Sequence, residues 1–299
     1  MRRILFLVNP IAGKGRALQA VPEIEAWMRA QSDVSYEIAI STAAGEITQL
    51  VKQREADGIR EFVAVGGDGT ISEMINGIGF SEREPSAIGV IPTGRGNDFV
   101  RNFDHPSLNE VMDAILRDRR VKIDVGAVNS YYFLNSCSFG IDGPITADAF
   151  RFKKRFPGEM SYLVATLKQL MRYRAQAVRV EVDGESRDAK LLLAAISNGR
   201  FFGGGMKVAP TADLSDGVLD LCLVNDVKPL RFLFCFPKIY SGRLDEVREV
   251  SYRKFESLRI IPAEGVRLIL NIDGNLVDEI SAEKPADIRV CKQAIELFH

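Results

Sequence analysis

The residues that decide the fold are Gly66, Gly67, Asp68, Gly69 and Thr70, which directly follow the apolar run 62–65. An apolar segment of helical character comes after them, so the pattern predicts a buried strand that turns into a helix. Glycines let the backbone adopt positive φ and let a ligand approach closely, and the first turn of a helix favours an anion. The pattern therefore predicts a phosphate-binding turn.

Asp68 is an acid inside this predicted anion site. A carboxylate beside a polyphosphate would repel it unless a divalent cation lay between them, so Asp68 is predicted to contact Mg²⁺, directly or through water. The alternative is an ordinary strand-to-helix turn with Asp68 as its N-cap. For a single glycine-rich turn that alternative is the usual one, and similar neighbouring turns weigh against it.

Two further predicted strands end in similar loops. Residues 9–16, Asn-Pro-Ile-Ala-Gly-Lys-Gly-Arg, follow the strand 4–8, and residues 92–99, Pro-Thr-Gly-Arg-Gly-Asn-Asp-Phe, follow the strand 88–91. The first loop lacks the spacing of a P-loop or a dinucleotide-binding turn. Because ligands bind at the carboxyl ends of strands in an open parallel sheet, three such loops predict one shared site.

The composition is that of a globular protein with room for two cores: 299 residues, 46% hydrophobic and 26% charged. A net charge of −1 gives no indication of nucleic-acid binding. With only His105 and His299 present, we expect neither histidine catalysis nor a histidine-based metal site. Four cysteines lie far apart without zinc-type spacing, which is typical of reduced thiols in a cytosolic protein. They are Cys137, Cys222, Cys235 and Cys291.

The order of predicted elements divides the chain in two. Up to about residue 128, strands (4–8, 34–40, 59–65, 88–91) alternate with helices (17–31, 45–56, and near 72 and 108), which predicts a parallel sheet. Afterwards strands follow one another, at 123–128, 131–136, 178–182, 191–196, 218–224, 258–261, 266–272 and 288–291. We therefore predict an α/β domain at 1–128 and a mostly antiparallel β-sandwich domain at 129–299. No long linker separates them, so the domains should be in close contact.

Three motifs together resemble the bacterial diacylglycerol and lipid kinase family, whose catalytic domain eukaryotic diacylglycerol, sphingosine and ceramide kinases share. They are N-P-x-A-G-K-G at 9–15, G-G-D-G-T at 66–70 with Glu73 and Asn76 after it, and P-x-G-x-x-N-D-F at 92–99. The resemblance continues to Asp273 and Gly274. NAD kinases and phosphofructokinases use turns similar to the second motif, so only the ordered set is specific. The resemblance implies an NAD-kinase-like first domain, ATP in the cleft, and a chain end that returns to the first domain.

The resemblance also implies site residues. Asp68 would contact the catalytic Mg²⁺, and Arg95, where many relatives have threonine, would reach phosphate, stack on adenine, or face solvent. The implied nucleotide-binding set is Asn9, Gly13, Thr42, Gly66, Gly67, Asp68, Gly69, Thr70, Glu73, Gly94 and Arg95.

A second acidic turn, at 213–218, has two interpretations. In the family it holds a structural Mg²⁺ through one aspartate side chain, here Asp216, and backbone carbonyls, here those of Asp213 and Val218. On its own, a Ser-Asp-Gly sequence is the usual turn before a strand.

Asn275 is a departure from the family, which usually has a glutamate proposed as the base for the acceptor hydroxyl. Asparagine cannot take this proton. Either Asp273 serves, or Asp278 or Glu279 reaches the site, or lipid kinase activity is low. A general base contributes ~10²–10⁴-fold, while positioning and charge neutralisation dominate phosphoryl transfer. Turnover therefore does not require the glutamate.

Two segments of the second half of the chain are candidates for contact with a lipid acceptor. Residues 151–174 carry seven Lys or Arg against one acid, with Tyr162, Leu163, Leu167, Leu170 and Met171 at near-helical spacing. Residues 229–240 contain six apolar residues, Leu230, Phe232, Leu233, Phe234, Cys235 and Phe236, far short of the ~20 that span a bilayer. The segments are either a basic membrane-surface helix with a lipid-access element, or ordinary helices packed on the sandwich with their cations in solvent.

We expect an ATP- and Mg²⁺-dependent kinase of a lipid hydroxyl such as that of diacylglycerol, with Asp68 and Asp273 as its catalytic residues. We expect it in the cytoplasm, in peripheral contact with the inner face of the membrane, and without a nucleic-acid partner. The alternatives are a kinase of a soluble acceptor such as NAD, or a nucleotide-binding regulatory protein with weak or no kinase activity, for which Asn275 is the only argument. The oligomeric state, a homodimer included, stays open.

Overall fold

The computed structural model describes residues 2–80, 85–152, 155–156 and 159–299. At 159, 229, 230, 232–234 and 236 it describes the backbone only. Two cations of the predicted basic segment, Lys153 and Lys154, therefore lie outside the described residues. The same holds for the apolar side chains of residues 230–236, except that of Cys235.

The first part of the chain is a parallel sheet with helices on both faces. Its strands pair in the order β2-β1-β3-β4. They are β1 (Arg2–Val8), β2 (Val34–Ile40), β3 (Glu61–Gly66) and β4 (Ala87–Pro92), and the helices are α1 (Arg16–Gln19), α2 (Val21–Arg29), α3 (Glu46–Ala56), α4 (Asp68–Ile75) and α5 (Leu108–Leu116). Leu5 and Leu7 pack with α3 and α4, while Ile4, Phe6 and Val8 pack with α2 and α5. Burial on both faces explains the apolar runs of β1, β3 and β4, whereas the edge strand β2 contains Ser35 and Glu37 and is only partly buried.

The second part is mostly antiparallel. Its strands are β5 (Arg120–Val128), β6 (Tyr131–Phe133), β7 (Ser136–Gly140), β8 (Gln176–Val182), β9 (Glu185–Ser197), β10 (Leu219–Asn225), β11 (Val250–Phe255), β12 (Ser257–Pro262), β13 (Leu268–Ile272), β14 (Asn275–Ile280) and β15 (Ala286–Phe298). One apolar core lies within these strands. A second core lies between them and the helices α6 (Asp142–Phe152), α7 (Glu159–Arg172) and α8 (Pro229–Ser241).

Strand β15 joins the two parts. It pairs in parallel with β4, through Glu296 and Leu297, and antiparallel with β5 and β12. Beside it, Arg120 forms ion pairs with Glu61 of β3 (2.8 Å) and with Glu296 (3.0 Å). The end of the chain thus completes the sheet of the first domain.

The predicted fold class, an α/β domain with a parallel sheet followed by an antiparallel β-sandwich, is confirmed. Two predicted elements are wrong in detail: the helix at 17–31 is two helices that meet at Ala20, and the strand at 131–136 is the two strands β6 and β7. The sequence analysis also missed β11, β14 and α6. No helix in the described part of the chain has the length and apolar character needed to cross a bilayer.

Candidate active site

The three glycine-containing loops meet at the carboxyl ends of β1, β3 and β4, which are adjacent in the sheet. The N–H groups of Thr93 and Gly94 donate to the carbonyl of Gly66 (2.9 and 3.1 Å). Arg16 donates from Nη2 to the carbonyl of Gly94 (2.7 Å), which fastens the first loop to the third. Parallel pairing therefore builds one site from loops that are far apart in the sequence.

Close backbone contact explains two of the glycines. Gly13 has φ +58°, and a Cβ there would lie 1.9 Å from the carbonyl oxygen of Thr93. A Cβ on Gly94 would lie 2.5 Å from the Cα of Gly67. No side chain fits at either place, so the loops can touch only through glycine.

The loops enclose an open cleft of about 300 Å³ that carries two cationic side chains, Lys14 and Arg95. Seven of the predicted nucleotide-binding residues line it: Asn9, Gly13, Gly67, Gly69, Thr70, Gly94 and Arg95. Asn9 donates from Nδ2 to the hydroxyl of Thr70 (3.3 Å), so the first loop also contacts the start of α4. This arrangement suits an anionic ligand of nucleotide size.

The other predicted nucleotide residues have different positions. Gly66 lies beneath Thr70, whose Oγ1 is 2.1 Å from where a Cβ of Gly66 would be. Thr42 is exposed and donates to Glu46 from its N–H (2.5 Å) and its hydroxyl (2.9 Å), and it is not among the residues lining the cleft. Glu73 lies one turn into α4, with Oε2 buried and without a hydrogen-bond partner among the described residues.

Asp68 is the first residue of α4. The N-cap is Gly67, and no side chain caps this helix, so the alternative in which Asp68 is the N-cap is wrong. Asp68 instead accepts the N–H of Phe99 at Oδ1 (3.2 Å), across from the third loop.

Three carboxylates, those of Asp68, Asp98 and Asp273, lie close enough to perturb one another. Burial, with the charge of Asp98, raises the pKa of Asp68 to about 6. Burial raises the pKa of Asp273 to about 8, with Asp68 and Asp98 adding to the shift and the N–H of Ser136 (2.9 Å) opposing it. Repulsion between desolvated carboxylates marks a place where a cation would be stabilised.

Asn275 lies beside the first turn of α4. A Cβ on Gly69 would be 3.8 Å from its Nδ2. Of the acids proposed to replace the family's glutamate, Asp278 is paired with Lys284 (2.6 Å) and Glu279 with Arg267 (3.7 Å). Asp273 is therefore the acid of this segment whose charge interacts with Asp68.

At the turn predicted to hold a structural metal, a lysine side chain from β11 already pairs with the carboxylates. Lys254 Nζ lies 2.8 Å from Oδ2 of both Asp216 and Asp220, and Asp216 Oδ1 accepts the N–H of Val218 (3.2 Å). Asp213 Oδ1 accepts from Ser215, the N–H at 2.9 Å and the hydroxyl at 2.8 Å. No cluster of three or more His, Cys, Asp or Glu side chains suited to a metal occurs among the described residues. The metal at this turn stays a prediction, and any ion there would share Asp216 with Lys254.

The sequence analysis missed two buried aspartates that hold loops in place, Asp98 at the cleft and Asp124 at the 213–218 turn. Asp98 accepts the N–H groups of Gly204 and Gly205 (both 2.7 Å), which holds the third loop against the second domain. Asp124 accepts the N–H groups of Gly217 and Gln293 (both 2.7 Å) and is fully buried. A charged residue inside the apolar run of β5 was the available signal for Asp124, and the N-D-F motif was the signal for Asp98.

The fold and the cleft define a class of protein: a glycine-lined α/β domain joined to an NAD-kinase-like β-sandwich. Residues 3–128 match the family model "Diacylglycerol kinase catalytic domain", and residues 135–299 match "YegS C-terminal NAD kinase beta sandwich-like domain". The chain belongs to the family of diacylglycerol kinases and YegS-like lipid kinases.

Individual relatives agree. A protein of Staphylococcus carnosus named diacylglycerol kinase is 28% identical over 99% of this chain and 95% of its own length. A protein of Chromohalobacter salexigens named "Probable lipid kinase YegS-like" is 29% identical over 87% of this chain and 84% of its own length. A solved diacylglycerol kinase from Bacillus anthracis shares the fold with a TM-score of 0.72 at 22% identity, covering 100% of this chain and 97% of the other.

Proposed function

We propose that the protein is an ATP- and Mg²⁺-dependent lipid kinase that transfers the γ-phosphoryl group to a hydroxyl of a diacylglycerol-like lipid. The observation that carries the proposal is the meeting of a glycine-lined cleft bearing Lys14 and Arg95 with the coupled carboxylates Asp68 and Asp273. Family membership supports the kinase class. The protein would work in the cytoplasm at the inner face of the membrane.

The first domain would bind the nucleotide. Backbone at Gly13, Gly67 and Gly94 is free of side chains, so phosphate oxygens can approach N–H groups closely. Lys14 and Arg95, which both line the cleft, would offset the phosphate charge. Thr70 and Asn9, which contact each other, would fix the first turn of α4 against the ligand.

Asp68 and Asp273 fit a divalent cation because burial and neighbouring carboxylates raise the pKa of each: Asp98 acts on Asp68, and Asp68 and Asp98 act on Asp273. Asp68 would be its main ligand. Bound Mg²⁺ would supply charge neutralisation to the transferred phosphoryl group.

Asp273 would hold and move the proton of the reaction. As the acceptor oxygen forms its bond to phosphorus, the bond between phosphorus and the leaving ADP oxygen breaks, and the hydroxyl proton passes to a carboxylate oxygen of Asp273. The N–H of Ser136 orients that carboxylate. A pKa of about 8 makes Asp273 a better proton acceptor than an ordinary aspartate once it is ionised.

A nucleotide-binding regulatory protein is the second candidate, and Asn275 is the observation that favours it. The experiment that separates the two is transfer of label from γ-labelled ATP, with and without Mg²⁺, to diacylglycerol, other lipid alcohols and NAD. A labelled lipid supports the proposal. Labelled NAD would assign a soluble acceptor, and nucleotide binding without any labelled product would favour the regulatory protein.

A further inference from the structure

The ammonium group of Lys254 joins the acidic turn at 213–218 to the strand that follows it. Lys254 lies on β11, directly opposite Asp220 of β10 in the antiparallel register. Its Nζ donates to Oδ2 of Asp220 and to Oδ2 of Asp216, both at 2.8 Å, and to the carbonyl of Thr211 at 3.4 Å. These contacts use all three donors of an ammonium group. Because Asp220 is buried, its carboxylate needs such a partner.

The other carboxylate oxygens at this turn also have donors. Asp216 accepts the N–H of Val218 at Oδ1 (3.2 Å), and Asp220 accepts the hydroxyl of Thr211 at Oδ1 (3.4 Å). The fully buried Asp124 uses both of its oxygens on backbone N–H groups. A Mg²⁺ ion binds carboxylate and carbonyl oxygens, so here it would have to displace donors that are already in place.

Asp213, the remaining acid of the turn, is also served by groups of the chain itself. Its Oδ1 accepts the N–H and the hydroxyl of Ser215. These hydrogen bonds lower the pKa of Asp213, and the charges of Lys254 and Arg200 add smaller contributions in the same direction. In the cleft, by contrast, burial and neighbouring carboxylates raise the pKa values of the acids. The donor set of the 213–218 turn therefore does not fit a further cation, whereas that of the cleft does.

We propose that the ammonium group of Lys254 takes the place of the structural Mg²⁺ that the family resemblance implies at Asp213, Asp216 and Val218. The lysine supplies positive charge to Asp216 and Asp220 from a covalently attached side chain, so the turn needs no metal. No contact in this arrangement involves the cleft, and the inference therefore stands apart from the kinase assignment. For the proposed kinase, it means that the dependence on Mg²⁺ arises at the cleft alone.

The turn lies where the two domains meet, so a cation that holds it contributes to the stability of both. Leu214 packs in the core that contains Leu5 and Ile71 of the first domain. The carbonyl of Leu214 accepts the N–H of Asp124 on β5 (2.6 Å). Without Lys254, the carboxylates of the turn and of β10 would lose the donor that they share and would repel each other. A divalent cation could then bind the oxygens that the lysine had released.

The test measures Mg²⁺ binding and stability without nucleotide, in an Asp68→Asn background that removes the proposed main ligand of the catalytic ion. Lys254→Met removes the ammonium group and keeps an unbranched side chain, and Asp216→Asn removes the carboxylate on which both interpretations depend. Arg253→Met is the matched control, because Arg253 is the neighbour on β11 and pairs with the exposed Glu185 (2.6 Å). Bound Mg²⁺ is measured by equilibrium dialysis, and melting temperatures are compared in EDTA and in Mg²⁺.

We expect Asp216→Asn to leave the Mg²⁺ bound by the Asp68→Asn protein unchanged. In EDTA, Lys254→Met should melt at a lower temperature than Arg253→Met. Lys254→Met should also bind Mg²⁺ at least ~10-fold more tightly than Arg253→Met, because the released oxygens no longer face an ammonium group that repels the ion. Its melting temperature should accordingly rise with Mg²⁺.

Mg²⁺ that the Asp68→Asn protein binds, and that Asp216→Asn removes, would assign a metal to the turn and overturn the proposal. Equal melting temperatures of Lys254→Met and Arg253→Met in EDTA would do the same, as would a Lys254→Met protein whose stability Mg²⁺ does not change. If Lys254→Met fails to fold, the comparison with and without Asp216→Asn still decides between lysine and metal.

Discussion

At the scale of single residues, the carboxylates of Asp68, Asp98 and Asp273 destabilise the folded protein and at the same time serve the proposed reaction. Asp68 and Asp273 are desolvated and repel each other and Asp98, and no described cation offsets all three. Arg101, 3.4 Å from Asp98, is paired with one of them. Function therefore conflicts with stability here, and variants should separate the two.

Asp273→Asn should change how stability depends on pH. The native pKa of about 8 lies above the ordinary value for aspartate, so the folded protein holds a proton that the unfolded chain has lost. The contribution of Asp273 to the free energy of unfolding is fully present at acidic pH, where the unfolded chain is also protonated, and is lost as the pH rises towards 8. The melting temperature of the nucleotide-free parent should fall over this range, and the variant should lose the part of the fall between pH 6 and 8.

The same variant should lower turnover by ~10²–10⁴-fold, since an amide cannot accept the proton. Asparagine keeps an oxygen for the N–H of Ser136, so the fold should hold. A melting profile that matches the parent's at every pH, or near-parental turnover, would remove Asp273 from its assigned role.

Asp68→Asn should abolish Mg²⁺-dependent turnover without loss of stability. The amide oxygen can still accept the N–H of Phe99, and removing the charge relieves repulsion from Asp98. Activity at saturating ATP and Mg²⁺ is measured together with the melting temperature. Near-normal activity would mean that the cation does not depend on this residue.

Asn275→Glu should raise lipid kinase turnover, because the side chain at 275 already lies opposite Gly69 in the cleft. A general base contributes ~10²–10⁴-fold, and because Asp273 already serves as one in the proposed reaction, the gain should lie at or below the lower end of that range. Because Asn275 lies beside Gly69, the KM for ATP is measured in parallel, which separates an effect on nucleotide binding from an effect on the chemical step. Parent and variant are compared over a range of pH, and an unchanged rate with every lipid would favour the regulatory candidate.

At the scale of elements, the site depends on loops that touch through their backbones. Gly13→Ala should disrupt the contact between the first and third loops, because its Cβ would meet the carbonyl of Thr93. Gly15→Ala is the control: Gly15 also has positive φ, but nothing lies within 4 Å of its Cβ position. Both variants carry backbone strain of ~1–2 kcal/mol, and only Gly13→Ala should also weaken nucleotide binding, measured by calorimetry. Equal affinities for the two variants would contradict this explanation.

The elements also show what the sequence could predict. Strands β1, β3 and β4 contain apolar runs and are followed by glycine-containing loops, so their positions and the meeting of their loops follow from local pattern. Strand β14 was missed because half of its residues are polar and only Ile280 is buried. Asp98 was left out of the site because its partners, Gly204 and Gly205, come from the other domain. Periodicity could not show which side of α7 is exposed, because a helix with apolar residues on both faces does not reveal which face is covered. The exposed side carries Met160, Leu163, Leu167 and Met171.

At the scale of the whole molecule, the two domains are joined by an ion network at β15. Arg120→Met should lower the free energy of unfolding by ~1–3 kcal/mol, because Glu61 and Glu296 each lose a partner in a partly buried setting. Arg179→Met breaks an exposed pair with Asp188 and should cost ~0–1 kcal/mol. Urea unfolding of both variants compares these costs. A cost for Arg120→Met no larger than that of the control would show that the network does not join the domains.

The pairing of β15 with β4 also has a consequence for biosynthesis. Ala87 pairs with Glu296, which the ribosome adds about 200 residues later. At 5–20 residues per second, β4 waits on the order of 10 to 40 s with one edge unpaired. An unpaired edge is a template for another chain, so nascent first domains on one messenger are exposed to each other during this interval. The length of that exposure is set by how long the second domain takes to translate, and the sequence of the first domain cannot shorten it.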